Sequence, residues 1–143
     1  MRWIVCLSLL LVLGGCAAEA TPAEKTGSGE IRHDLDPLIE RFSQLGEPES
    51  AEWRSGTIGS DRVPGPSLYW IDAVIELSAD DYQQLATAYE LEKAAVPDAE
   101  VGLPEGPLLR SDELDAAFSL DEYRSDVYLD EASRSLVLLT QFE

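Results

Sequence analysis

The stretch "SLYWIDAVIELS", residues 67–78, decides the fold. Tyr69, Ile71, Ala73, Ile75 and Leu77 are all apolar, while the interleaved Leu68, Trp70, Asp72, Val74 and Glu76 are mixed. Side chains of a strand point alternately to its two faces, so the pattern predicts the strongest strand of the chain, covered on one face and partly open on the other.

Directly behind it, Ser78 and Asp81 form a capping pair, and Tyr82, Leu85, Ala86 and Tyr89 recur at helical spacing, which predicts a helix from Ser78 to about Lys93. In front of it, "GSDRVPGP" is crowded with turn formers, and Trp53 to Ile58, "WRSGTI", is aromatic and β-branched enough for a second strand. Asp36-Pro37 reads as a helix start, with the Asp side chain as acceptor and the proline at the first helical position. Leu38, Phe42 and Leu45 then share one face, and Gly46 ends the helix.

Pro97, Gly102, Pro104, Gly106 and Pro107 make an irregular connection. Asp112 to Phe118 suits a short helix with Leu114, Ala117 and Phe118 inward, although a strand also fits. The chain closes with "DVYLDEASRSLVLLTQF", two apolar segments around a polar stretch, as in a β-hairpin. The order α-β-β-α-(α)-β-β predicts a small single α+β domain: a mainly antiparallel sheet of about four strands with two to three helices on one side. No internal repeat is visible.

A chain of 143 residues fits one domain. Its formal charge of -18, from 28 acidic and 10 basic residues, excludes nucleic acid as a partner, because phosphate contacts need clustered Lys and Arg. Such acidity either keeps a solvated surface soluble or attracts a basic protein partner.

At the other end of the chain, Arg2 precedes an apolar run from Trp3 to Leu13 that matches a signal-peptide core and is too short to span a bilayer. Leu13-Gly14-Gly15-Cys16 follows and resembles the lipobox of bacterial lipoproteins, with a large aliphatic residue, two small ones and a cysteine. The resemblance implies cleavage before Cys16, a diacylglyceryl thioether on its sulfur, and anchoring to membrane lipid on the extracytoplasmic side. Two acyl chains attach stably where one is marginal, since each buried methylene contributes roughly 0.8 kcal/mol. The expected organisation is a leader over 1–15, the lipidated Cys16 with a flexible linker over 16–30, and the acidic domain over 31–143. "AAEATPAEKTGSGE", residues 17–30, has the composition of such a linker. Cys6 leaves with the leader and Cys16 carries lipid, so no thiol remains for a disulfide.

The remaining chemical inventory is thin. His33 is the single histidine, so neither a Ser-His-Asp site held by a third group nor a zinc site has its ligands, and no cofactor motif appears. "DELD" and "DEYRSD" lack the glycine and terminal glutamate of a calcium loop, so no metal is expected. Asp72 and Glu76 share a strand face about 13 Å apart, too far for a glycosidase pair. Asp72, between Trp70 and Val74, needs a donor such as Arg54 or Arg62 if it is buried. Trp53, Arg62, Trp70 and Asp72 are candidates for a recognition surface, with core packing of the two tryptophans as the alternative.

The expected function is a membrane-anchored binding or accessory module, in one version an inhibitor of a basic envelope enzyme. The alternative is a hydrolase using a carboxylate such as Asp72. A pocket in which Asp72 meets a second polar group would favour the enzyme, and an exposed Trp-bearing patch would favour binding. Labelling cells with a fatty-acid probe is expected to mark the wild-type chain and leave Cys16→Ala unmarked; a variant that still takes the label would overturn the anchor.

Overall fold

The computed structural model describes residues 25–26, 29–59 and 68–142. Its elements are β1 (Lys25–Thr26), α1 (Asp36–Arg41), β2 (Ser50–Ile58), β3 (Leu68–Glu76), α2 (Ala79–Ala88), β4 (Glu92–Lys93), β5 (Leu109–Arg110), α3 (Asp112–Ala117), β6 (Tyr123–Asp130) and β7 (Ser135–Phe142). They build one sheet of seven strands in the order β1-β2-β3-β7-β6-β5-β4, every pairing antiparallel. The four long strands are those read from the sequence. The three that raise the number from about four to seven are two-residue strands toward the edges, too short to show an alternation.

β3 lies inside the sheet, paired along its length with β2 on one side and β7 on the other. Its Ile71, Ala73 and Ile75 share a face with Trp53 of β2, Leu136 and Leu138 of β7, and Val127 and Leu129 of β6. Leu38 and Phe42 of α1, Tyr82 of α2, and Leu114 and Phe118 at α3 pack on that face, so the helices do lie on one side. Within this core the Phe42 ring meets Tyr123 edge-on, with centroids 5.4 Å apart. Ser125 and Thr140 also face it, and both are satisfied: Ser125 Oγ donates to Phe118 O at 2.7 Å and lies 2.8 Å from Thr140 Oγ1.

The second face is less open than the alternation of residues 67–78 suggests. Leu108, Tyr128 and Val137 are buried there, with Val74, Ala94, Leu103 and Leu139 packed against them. The irregular proline- and glycine-rich connection thus acts as a cover in place of a helix.

Helix ends depart from expectation in three places. α1 stops at Arg41 and is followed by a separate 3-10 turn, Ser43–Leu45, instead of running on to Leu45. Its N-cap is Leu35 without a side-chain hydrogen bond, and Asp36 is already inside the first turn. α2 ends at Ala88 because Tyr89 turns extended, and Glu92 and Lys93, expected in the helix, pair with β5 instead.

The Ser78 cap behaves as expected and does more. Asp81 N donates to Ser78 Oγ at 3.1 Å, while the Asp81 carboxylate accepts from Ser78 Oγ at 2.8 Å and from Glu47 N at 3.2 Å. This ties the start of α2 to the corner after Gly46. Gly46 has φ +69°, and a Cβ there would sit 2.6 Å from Asp81 Oδ1, so both backbone and space require glycine. In α3, Ser111 caps in the same way, accepting from Leu114 N at 3.1 Å.

Burial pushes the hydroxyls of Tyr82, Tyr123 and Tyr128 above the usual phenol value of 10.0, with Glu131 and Asp130 adding to the effect at Tyr82. A folded-state value above the unfolded one means that the neutral phenols stabilise the fold below pH 10 and that this stability is lost as pH rises through the folded values. The urea midpoint is therefore expected to hold steady up to about pH 10 and then fall, with a shallower fall in Tyr128→Phe. A midpoint that rises above that pH would contradict the burial of these rings.

Candidate functional site

Asp72 is the most constrained polar group of the second sheet face. It sits on β3 opposite Arg54 of β2 and Leu139 of β7, with no exposed surface. Lys25 Nζ donates to both of its oxygens, at 2.8 and 2.7 Å, and Glu100 N donates to Oδ2 at 2.8 Å. Trp70 supports this pair. Its fully buried indole lies opposite Gly56, which has no side chain, and Nε1 donates to Thr57 O at 3.1 Å. Lys25 Nζ passes 4.9 Å from the Trp70 ring centroid on its way to Asp72.

Among the described residues the donor is thus Lys25 and not Arg54, the one of the two expected arginines that is described. Arg54 lies beside Asp72 in register, but its buried Nε has no hydrogen-bond partner among the described residues. Arg62 lies outside the described residues. Lys25 was hidden because the stretch 16–30 reads as linker; the available signal was that it is the one Lys or Arg between Arg2 and Arg32.

Trp53, Trp70 and Asp72 do not form a common exposed surface. Trp53 pairs with Ala73 and so faces the helices, while Trp70 and Asp72 face the opposite way. Trp53 is buried, its Nε1 donating to Asp34 O at 2.9 Å and the Arg32 guanidinium carbon 4.0 Å from its ring centroid. The Arg32 hydrogen bonds also hold the Asp34 carboxyl below its usual range. Core packing, the alternative reading of both tryptophans, is what the geometry supplies.

Asp72 and Lys25 do converge beside a cavity of about 470 Å³, whose lining includes Asp98, Arg124, Asp126 and Gln141. Yet both Asp72 oxygens are engaged by the protein's own donors and neither is exposed, so the carboxylate has no free oxygen to offer a substrate. Glu76, on the same face, accepts from Ser50 Oγ at 3.1 Å. His33 Nδ1 lies 2.9 Å from Ala51 O, part of the chain's path along β2. Among the described residues, no group of three or more His, Cys, Asp or Glu could hold a metal ion.

A second concavity is built from one short stretch, residues 112–126, whose carboxylates in "DELD" and "DEYRSD" read in the sequence only as candidate calcium ligands. Between α3 and the start of β6 opens a cleft of about 980 Å³ whose lining includes Asp112, Asp115, Leu120, Asp121, Glu122 and Asp126, with Arg124 as its one basic side chain among the described residues. Leu120 is 61 % exposed among these carboxylates. At its inner edge Arg110 pairs with Asp115 and, at 3.2 Å, with Asp126, while Asp115 Oδ1 accepts from Val127 N at 2.7 Å. Burial disfavours the Arg110 charge, but these carboxylates outweigh it and hold the guanidinium firmly protonated. Asp115 is therefore structural, and Asp112, Asp121 and Glu122, all exposed, form the open rim.

Breaking the Lys25–Asp72 pair from one side leaves a buried charge without its partner, which typically costs about 3–5 kcal/mol. Lys25→Met is expected to lower stability by an amount near the bottom of that range, because Lys25 keeps some contact with water. Lys25→Met/Asp72→Asn, which removes the stranded charge while preserving an acceptor for Glu100 N, is expected to recover part of the loss in a urea titration. A double variant less stable than Lys25→Met would contradict the pairing. Compared with known proteins, the chain matches no family model, no curated protein and no solved structure.

Proposed function

We propose that the protein is a membrane-anchored extracytoplasmic lipoprotein, held to lipid through Cys16, whose acidic domain binds a basic protein partner. The observation that carries this reading is the α3–β6 cleft, where Asp112, Asp121 and Glu122 outnumber Arg124 and share the lining with an exposed Leu120 on a chain of net charge -18. Exposed carboxylates steer a cationic partner and exclude anionic ones, while an apolar side chain in their midst supplies a desolvated contact. Blocking a basic envelope enzyme is one form such binding takes. The hydrolase alternative draws less support, since Asp72 is buried and fully hydrogen-bonded.

Crosslinking in the native envelope, followed by identification of the bound protein, tests the proposal. The expected partner carries a basic surface, its affinity falls as salt rises from 50 to 500 mM as screening shortens to roughly 4–14 Å, and Asp121→Asn/Glu122→Gln weakens it about tenfold or more. Leu120→Ala is expected to weaken binding while leaving the urea midpoint almost unchanged. A partner bound equally well in high salt, or by the double variant, would refute the reading.

A further inference from the structure

The lysine that neutralises Asp72 does not belong to the body of the domain. It comes from β1, in the stretch that leads back to Cys16, and this stretch follows the edge of β2. Lys25 and Thr26 pair with Ile58 and Thr57, Gly29 N donates to Ser55 O at 3.1 Å, and Arg32 and Trp53 exchange both backbone hydrogen bonds, at 2.8 and 2.9 Å. The rest of the sheet gives Asp72 a donor of its own in Glu100 N, with the buried Trp70 beside it.

We propose that Lys25 and Asp72 form a clamp that fastens the chain preceding the domain onto the β2 edge and thereby sets how far the domain extends from its anchor. β1 has two residues, held on β2 by a short ladder and by Thr26 Oγ1 donating to Gly59 O at 3.0 Å, and it is fastened further because the buried carboxylate demands a cation and Lys25, among the described residues, reaches it. Lys25 keeps 23 % of its side chain exposed, which leaves the clamp accessible from solvent. With the clamp closed, the span from Cys16 to the sheet is limited to about 30 Å; with attachment moved back to Arg32 the limit rises to about 55 Å, at no more than 3.3–3.6 Å per residue. The change in reach rests on the proposed anchor at Cys16, whereas the clamp itself does not.

Trypsin tests the clamp on the protein isolated from membranes, because the bond after Lys25 is a tryptic site fixed by the clamp. Asp72→Asn is expected to speed cleavage after Lys25 at least tenfold more than it speeds cleavage after Arg54 and Arg110, inside the sheet, where cleavage follows global opening. Equal acceleration at all three sites, or none at Lys25, would overturn the clamp. Should Asp72→Asn not fold, Lys25→Gln provides the same test with a glutamate-specific protease at Glu30, which lies between the clamp and the Arg32–Trp53 bridge; faster cleavage is expected there and an unchanged rate would overturn the clamp. On lipidated protein in vesicles, energy transfer from a donor on the domain to an acceptor in the bilayer is expected to fall in Asp72→Asn; unchanged transfer would overturn the effect on reach. Loss of fatty-acid label at Cys16 would instead remove the anchor and leave the digestion result standing.

Discussion

A carboxylate without solvent contact in the middle of a sheet is the constraint from which much of this structure follows. Taking an ionised side chain out of water costs several kcal/mol unless partners replace the lost hydration. Asp72 therefore needs donors from outside β3, and it finds them on two segments outside the long strands. Glu100 N comes from the irregular connection over the second sheet face, and Lys25 comes from β1 at the edge of the sheet. One buried charge thus helps to hold both the cover and the first edge strand. Removing Asp72 from the sequence would leave that cover held by Leu108, Leu103 and Ala94 packing on Val74, Tyr128, Val137 and Leu139.

Around this charge the sheet is organised by parity. β3 carries its apolar set toward the helices, and register then assigns every residue of β2, β7 and β6 to a face. The same register places Ser125 beside Thr140 at 2.8 Å in the helix-side core, where a lone hydroxyl would cost stability and a mutually bonded pair does not. β3 also joins β7, more than sixty residues later in the chain, so the centre of the sheet forms only when distant segments meet. Pairings of this kind close large loops and make folding slower than in helical domains of the same size.

The features legible in the sequence were those with a local cause. The alternation around Asp72 located β3, Ser78 placed the start of α2 to the residue, and the apolar segments near the C-terminus gave β6 and β7. α3 was left open between helix and strand, and the Ser111 cap together with the inward Leu114 and Phe118 settles it as helix. What escaped depended on register and on long-range pairing. Whether Trp53 and Trp70 share a face is fixed by how β2 aligns with β3 across residues 59–67, a connection too long for its turn chemistry to dictate register. Lys25 lay in a stretch whose composition alone reads as linker, and composition does not register a single lysine whose partner is 47 residues away.

The distribution of the basic residues gives the acidity a further meaning. Lys25 is committed to Asp72, Arg32 to Asp34, Arg110 to Asp115 and Asp126, and Arg134 reaches Glu49 and Glu76. These four cations are spent on carboxylates other than Asp112, Asp121 and Glu122, and Arg124 is the basic side chain that lines the cleft with them. The exposed pairs among them contribute little to stability, since water and salt screen them. Their larger effect is on the pattern of charge: they offset carboxylates that range from buried Asp72 to exposed Asp34 and Asp126, none of which is Asp112, Asp121 or Glu122. A domain built in this way is pushed apart by its own surface at low ionic strength, and a basic partner that covers the rim relieves that repulsion, so the charge that weakens the free fold is the charge that favours the complex.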